Sequence, residues 1–534
     1  MAINAKTKKK TSILLALTLV CTLLLSACGG KDKENGSSGN SGASGKQVTL
    51  KVEVFDRGNS PAGSTITNNY LTNYVQDNFG KPNNINVQFV PVPRSEEVKK
   101  LNVLMASGGD VPDIVFTYDS ATFYRYAQQG GLTELSELIE QHAPNLKSFL
   151  GEDTLAYGQF EGQQFAIPAK RSHLGKYSSF IRQDWLDKLN LPIPQTTDEL
   201  YNTLKAFKEK DPGQTGGKVI PLGMALAPAQ YEPLIWSFIQ PLTDEQRITL
   251  TQQLGSRDYP TLLPGFKDAL QFMNKLYNEG LMSVDFSLDE DKKKLSEDVS
   301  KGLVGFFSED DMNPFYPDGM YATLQANNPG ATLTSVDVYS NSEGKHPKPE
   351  YAPIGLFIMI PKTSDRAVEA IKYLDWMASE NNLFNMQNGV EGENYTLKDG
   401  VPVMKADATE EAKNRIYNWG DMAIISNGKQ LGDADKNVEA YVLGMPEQYQ
   451  DETRRALTVS RNDTFKPVKF DRPIEAQNKY GTGLLDKFHE IVVQTTMAKP
   501  DKFESTFESM MKDYMANGGQ AILDERTKVY ESMK

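Results

Sequence analysis

Val48, Leu50, Val52 and Val54 alternate with Thr49, Lys51 and Glu53. A period of two puts the apolar side chains on one face and predicts a strand. Tyr70, Leu71, Tyr74 and Val75 follow at helical spacing, and Gly80 closes that helix. Residues 85–90 predict a second strand. Ser95 is placed to cap a helix running to Met105, with Gly108 after it, and residues 113–116 (DIVF) predict a third short strand. Strand, helix, strand, helix, strand with long connections predicts a parallel α/β sheet. Further on, residues 177–182 predict a strand and residues 183–189 the helix after it. Thr196-Thr197-Asp198-Glu199 has the spacing of a capping box for a helix reaching Lys210. Pro264 and Gly280 bracket a helix with Ala269, Leu270, Met273, Leu276 and Tyr277 on one face. Residues 303–307 (LVGFF) and 354–360 (IGLFIMI) read as buried strands, the second stopped by Pro361. Ser364 opens a helix over 366–378. Beyond it the pattern is mostly helical, down to the run from 501 to 533, and no repeat of fixed period is present.

The N-terminal pattern is of another kind. Residues 6–10 (KTKKK) are basic and residues 13–25 are apolar. That run is shorter than the ~20 residues a membrane-spanning helix needs. Leu25-Ser26-Ala27-Cys28-Gly29 follows. A basic stretch, a short apolar run and small residues read as a secretory signal peptide. The segment resembles the bacterial lipobox, which implies cleavage before Cys28 and diacylglyceryl attachment to its thiol. An ordinary signal peptide with an incidental cysteine is the alternative. Residues 29–45 (GGKDKENGSSGNSGASG) have almost nothing to bury. They predict a flexible tether with a reach of roughly 20–25 Å.

Composition narrows the function. At 534 residues the chain suits about three domains of ~150 residues or two large lobes. Asp plus Glu number 70 against 57 for Lys plus Arg, and the net charge is −13. Lys6, Lys8, Lys9 and Lys10 lie in the segment predicted to be removed, so the mature chain is more acidic still. That balance argues against nucleic acid as the main partner. The two cysteines, Cys21 and Cys28, both lie near the start, so the body has no disulfide, thiolate metal site or cysteine nucleophile.

Histidine is limited to His142, His173, His346 and His489. His489-Glu490 begins like a zinc-protease helix, but Val493 stands where the second histidine is needed. There is no GxxxxGK[ST] loop and no GxGxxG after a strand. Glycoside hydrolysis needs only two carboxylates, and a chain this acidic always offers some pair. Glu309, Asp310 and Asp311 follow Phe306-Phe307. They are either hydroxyl acceptors at a strand's C-terminal end, where open α/β sheets bind ligands, or a solvated loop. Tyr231 and Trp236 sit near an apolar run and suit the core or a ligand face, whereas Trp185 and Trp376 suit the core. Lys170 and Arg171 follow Phe165-Ala166-Ile167-Pro168, as a surface pair or as a hook for a carboxylate.

Several segments together resemble one family. They are MASGGDVPDI (105–114), Gly130-Gly131-Leu132 with Leu135 and Leu138, Ala143-Pro144-Asn145, FEGQQFAIP (160–168), IRQDWLDKL (181–189) and YNTLKAFKEKD (201–211). Ile360-Pro361-Lys362-Thr363-Ser364 and IKYLDW (371–376) form a second block. With the lipobox, this resembles the extracellular solute-binding lipoproteins of ABC importers, in the LipO-like, alginate-binding-like branch that takes oligosaccharides. The match spreads over most of residues 46–400.

The resemblance implies an α/β, two-lobed periplasmic-binding-protein-like (type II) fold with a hinge, an inter-lobe cleft and a helical C-terminal region. Residues 1–27 would be the signal peptide and 28–46 the lipidated cysteine and linker. Residues 47–175 and 354–430 would form the N-lobe, 176–353 the C-lobe, and 431–534 a helical part mainly on the C-lobe. The first crossing would fall soon after Pro168 and the return near residues 351–355. The cleft would draw on Arg57, Asn59, Tyr118, Asp119, Arg171, His173, Tyr231, Trp236, Glu309, Asp310, Asp311, Phe315 and Tyr316.

The implied protein is a non-catalytic monomer without cofactor. It is lipid-anchored at Cys28 on the outer face of a bacterial cell membrane, and it hands an oligosaccharide to ABC permease subunits. Relatives often carry an Asp/Asn-rich calcium loop after a DP dipeptide. Here the loop reads DPGQTGGK (211–218), where Asp211 is the one obvious ligand against the 6–8 oxygens calcium takes, so no metal is expected. The competing readings are a surface-anchored polysaccharide-degrading enzyme and a carbohydrate sensor or adhesin.

Overall fold

The computed structural model describes residues 46–108, 111–254, 257–470 and 472–534. Cys28 and the signal segment lie outside the described residues. Among them, no helix is long and apolar enough to cross a membrane.

The first sheet begins with β1 (Val48–Asp56) and β2 (Ile85–Pro93), which run parallel in unbroken register from Val48 opposite Ile85 to Asp56 opposite Pro93. β3 (Val115–Thr117) follows β1 through a parallel bridge between Val52 and Ile114. β1 alternates at its start and is buried on both faces from Val52 on, because helices cover the sheet from both sides. β4 (Ala166–Arg171) belongs to the same sheet. β5 (Tyr177–Arg182), β6 (Ile220–Leu222), β7 (Val304–Asp310) and β8 (Leu333–Val336) form a second sheet in the order β8-β5-β7-β6. The chain then returns to the first sheet as β9 (Ile354–Met359), and β10 (Ser426–Asn427) closes its far edge beside β4.

β9 lies antiparallel between β3 and β4. The first sheet is therefore mixed, whereas strand–helix alternation predicts a parallel one. The reason is topological: β9 arrives from the other lobe and enters from the opposite end. Two smaller differences have local causes. The third strand starts at Val115 because the backbone N–H groups of Asp113 and Ile114 both converge on Lys51 C=O (2.8 and 3.1 Å), which breaks the regular ladder there. Ser95 does not cap its helix. It lies inside a tight turn, Arg94–Glu96, that follows Pro93, and the helix starts at Glu97.

Each sheet anchors its own core. The first gathers Leu50, Val54, Phe55 and Phe116 with Ile371 and Leu374 of the Ala367–Ala378 helix. The second gathers Ile181, Trp185, Leu204 and Phe207. The capping box forms as spaced: Thr196 accepts from Glu199 N–H, and Glu199 reaches back to the Thr196 N–H. The long Glu475–Met497 helix joins the second core through Leu484, Phe488, Ile491 and Val492, with Phe488 against Tyr259 at 4.6 Å. Each fully buried side chain of this size contributes ~1.5–3 kcal/mol.

Three chain passes join the lobes: residues 172–176 between β4 and β5, residues 350–353 before β9, and residues 428–433 after β10. Main-chain hydrogen bonds tie the first two passes to each other and to the ends of β4 and β10. Arg171 N–H donates to Pro353 C=O (2.9 Å), Ser172 N–H to Asn427 C=O (2.9 Å) and Tyr351 N–H to Leu174 C=O (2.8 Å).

Candidate ligand cleft

The strand ends point into the space between the lobes. Just past β1, Arg57 donates from Nε and Nη2 to the two carboxylate oxygens of Asp421, at 2.6 and 2.9 Å. Past β3, Tyr118 stacks on Phe55 (6.1 Å between centroids) and lies under the Arg94 guanidinium at 4.5 Å. Arg57, Tyr118 and Asp421 line a cavity of about 520 Å³ together with Asn418 and Trp419. Asn418 takes the left-handed conformation (φ 59°), which asparagine tolerates better than most residues, and its side-chain nitrogen has no partner.

On the hinge floor, Arg171 sends Nε to the carbonyls of Ala352 (3.1 Å) and Ile354 (3.2 Å) and Nη1 to Asn427 Oδ1 (3.0 Å). Its guanidinium lies over the Tyr351 ring at 4.6 Å. A second cavity, about 210 Å³, is lined here by Arg171, Lys176, Tyr351, Tyr441, Asp310 and Asp311. Asn427 lines both cavities.

The acidic run at the end of β7 divides its labour. Glu309 is buried and receives Lys292 at 2.6 Å and Gln230 at 3.2 Å. Asp311 accepts from Ser460 (2.6 Å) and pairs with His173 Nε2 (2.8 Å). Asp310 faces the smaller cavity, held by Asn313 at 3.1 Å. Burial, then the charge of Glu309, push it up to about 7.

Of the residues expected in a cleft, the structure brings together Arg57, Tyr118, Arg171, His173, Asp310 and Asp311. Tyr316 is exposed and lies close enough to Tyr441, Asp311 and Asp310 for their charges to act on it. The others are elsewhere. Asn59 is an exposed loop residue near Arg57. Asp119 caps the Ser120–Gln128 helix by accepting from Thr122 N–H at 3.1 Å.

Tyr231, Trp236 and Phe315 are corrections. Every residue of the Pro228–Ser237 helix from Ala229 on is buried. Tyr231 packs on Phe488 and bonds His489 Nε2 at 3.0 Å, and Trp236 packs edge-on against Phe465. Phe315 sits between Phe180 and Tyr321. Glu309 is likewise committed to its protein partners. None of the four offers a face to a ligand.

The cleft's rings are instead Trp419, Tyr351 and Tyr441, and its added cation is Lys176, all passed over by the sequence reading. The available signal was weak: Asn418-Trp419-Gly420 is an aromatic between turn residues, outside any periodic pattern. Asp211 uses its oxygens on its own loop, accepting from Thr215 N–H (2.9 Å) and Gly217 N–H (3.2 Å). No group of His, Cys, Asp and Glu that could hold a metal ion occurs among the described residues.

Residues 62–382 match the family described as bacterial extracellular solute-binding protein. The chain is 26% identical to the lipoprotein LipO of Bacillus subtilis, over 97% of this chain and 98% of that protein. It is 23% identical to the polygalacturonan/rhamnogalacturonan-binding protein YtcQ of the same organism, over 98% and 99%. The Streptococcus pneumoniae ABC-transporter substrate-binding protein FusA, solved with kestose, superposes with a TM-score of 0.61 at 15% identity, over 91% of this chain and 99% of that one. The two-lobed solute-binding fold is thereby established.

Proposed function

The chain belongs to the bacterial extracellular solute-binding protein family, and we propose that it captures an oligosaccharide between its lobes for delivery to an ABC permease. The observation that carries this is the cleft lining: aromatic rings interleaved with hydroxyl partners. A pyranose has apolar C–H faces and a rim of hydroxyls. Trp419 and Tyr441 can cover the faces. Arg57, Asn418 and Asp310 can meet hydroxyls that, buried without a partner, cost ~1–3 kcal/mol each. Closure of two lobes about a hinge gives two distinguishable shapes for a permease to read.

The protein binds without turnover in this reading. Of the two carboxylates on the smaller cavity, Asp311 is committed to His173 and Ser460, which leaves Asp310 without a second free carboxylate to share acid–base work. Residues 1–27 are removed, Cys28 carries the lipid, and residues 28–46 tether a monomeric body to the outer face of the membrane. Residues 47–175 and 354–430 make one lobe, and 176–353 with 431–534 the other.

The test is to incubate the soluble body with a panel of oligosaccharides. Binding by calorimetry, a smaller radius of gyration on binding, and no growth of reducing ends are expected. Release of new reducing ends makes it a degrading enzyme. Binding with no change in radius favours a sensor or adhesin.

A further inference from the structure

Two cations on the cleft floor make no ion pair among the described residues. Lys176 lies on the first pass between the lobes, with a side chain only 8% exposed. It makes no ion pair among the described residues, and its ammonium sits 5.3 Å from the centre of the Tyr351 ring. Arg171 holds the same ring at 4.6 Å. Its bonds go to two carbonyls and one amide oxygen, Nη2 has no protein partner, and no carboxylate pairs with it among the described residues. Both residues line the 210 Å³ cavity.

Two like charges are thus held half out of water beside one tyrosine, an arrangement that is unfavourable until an anion joins it. The nearby acids do not fill that role. Asp311 is taken by His173 and Ser460, and Glu309 by Lys292. Glu232 and Asp258 lie behind Lys176 and attract it, but burial holds both toward the protonated form.

We propose that the ligand is an acidic oligosaccharide and that Arg171 and Lys176 together receive the carboxylate of one uronic-acid ring on the cleft floor. Arg171 offers a planar fork that suits a carboxylate, and Lys176 adds a point charge from the side. Asp310, the remaining acid on the cavity, lies 3.8 Å from Lys292 and is pushed up to about 7 by burial and then by the charge of Glu309. A neutral sugar would leave both cations with dipoles alone. The similar proteins do not decide the matter, since one is named for an acidic polysaccharide and another was solved with neutral kestose.

This rests on the oligosaccharide reading, and one experiment separates the two. Trimers of galacturonate, mannuronate and guluronate are titrated calorimetrically into the mature soluble protein beside their carboxyl-reduced, neutral counterparts, at about 50 and about 500 mM NaCl. One acidic trimer should bind at least about tenfold more tightly than its reduced form and weaken with salt. Arg171→Gln and Lys176→Met should each cost it about tenfold or more, with little effect on the neutral trimer. Lys176→Met is the decisive variant, because the ammonium makes no hydrogen bond whose loss could disturb the hinge. Lys176→Arg should restore binding. Neutral trimers bound as tightly as acidic ones, or a folded Lys176→Met that binds the acid like the parent, overturn the charge assignment and leave the oligosaccharide reading standing. If no oligosaccharide of either kind binds, both fall.

Discussion

Arg57 grips Asp421 through both carboxylate oxygens, at 2.6 and 2.9 Å, across 364 positions of sequence. The pair fastens the end of β1 to the short turn that carries Asn418 and Trp419. Asp421 is nearly buried and Arg57 is half exposed, so the two sides of the pair are not equivalent. Arg57→Ala strands a buried carboxylate and should lower stability by ~1–3 kcal/mol. Asp421→Asn leaves a guanidinium that water can reach and should cost less. Denaturant midpoints for the two variants check the order; an equal or reversed order would mean that the pair is not what holds this turn.

The tryptophans should separate by role. Trp236 is in the core, and Trp236→Ala should cost ~3–5 kcal/mol. Trp419→Ala should cost less stability but abolish most of the fluorescence change on ligand binding and weaken binding itself. Thermal melts with and without oligosaccharide, on both variants, read the two effects separately.

Buried acids predict a pH profile. Burial pushes Glu53 and Glu232 up to about 8 from 4.5. The folded state then holds more protons than the unfolded one between these values. Stability from these groups is fully present below about 4.5 and is lost as pH rises toward 8. The loss should be at most about 5 kcal/mol per group. Glu232→Gln should flatten the melting temperature between pH 5 and pH 8 (roughly the window of the shift). An unchanged slope would show that Glu232 is not the source. Lys429, pushed down to about 8 by burial, acts in the opposite sense, but only above that pH.

Lipidation at Cys28 is tested by detergent-phase partitioning, since each buried acyl methylene contributes ~0.8 kcal/mol. Cys28→Ser should move the protein to the aqueous phase or block its processing. Partitioning like the parent would exclude the anchor.

A resident calcium ion would stabilise the native state by mass action. With Asp211 engaged by its own loop, a chelator should leave the melting temperature unchanged. A fall reversed by added calcium would contradict this.

Much of the scaffold was legible because it follows from periodicity. β1, the Thr196 capping box and the two buried strands β7 and β9 rest on local patterns that tertiary contacts reinforce. The direction of β9 was not legible, since it depends on which lobe the chain comes from. The site divides in the same way. That Arg57, Tyr118, Arg171 and Asp310 line neighbouring cavities could be expected because strand ends converge in an open α/β sheet. Tyr231 and Trp236 misled because their helix is enclosed on every side, so its polar residues, Gln230 and Glu232, do not mark a solvent face. Trp419, Tyr351 and Lys176 lie in turns and crossings, where no repeat exists to read.

The first two passes are bonded to each other, and each is bonded to a strand end beside it, through their backbones, and that has a mechanical consequence. Three separate threads would let the lobes twist, slide or splay independently. A laced band bends about one axis and resists shear, because sliding one pass along another must break amide–carbonyl bonds at 2.8–2.9 Å. The lobes therefore share a single stroke, whatever the length of chain between them. A membrane partner that grasps both lobes at once meets one closed outline rather than a family of them.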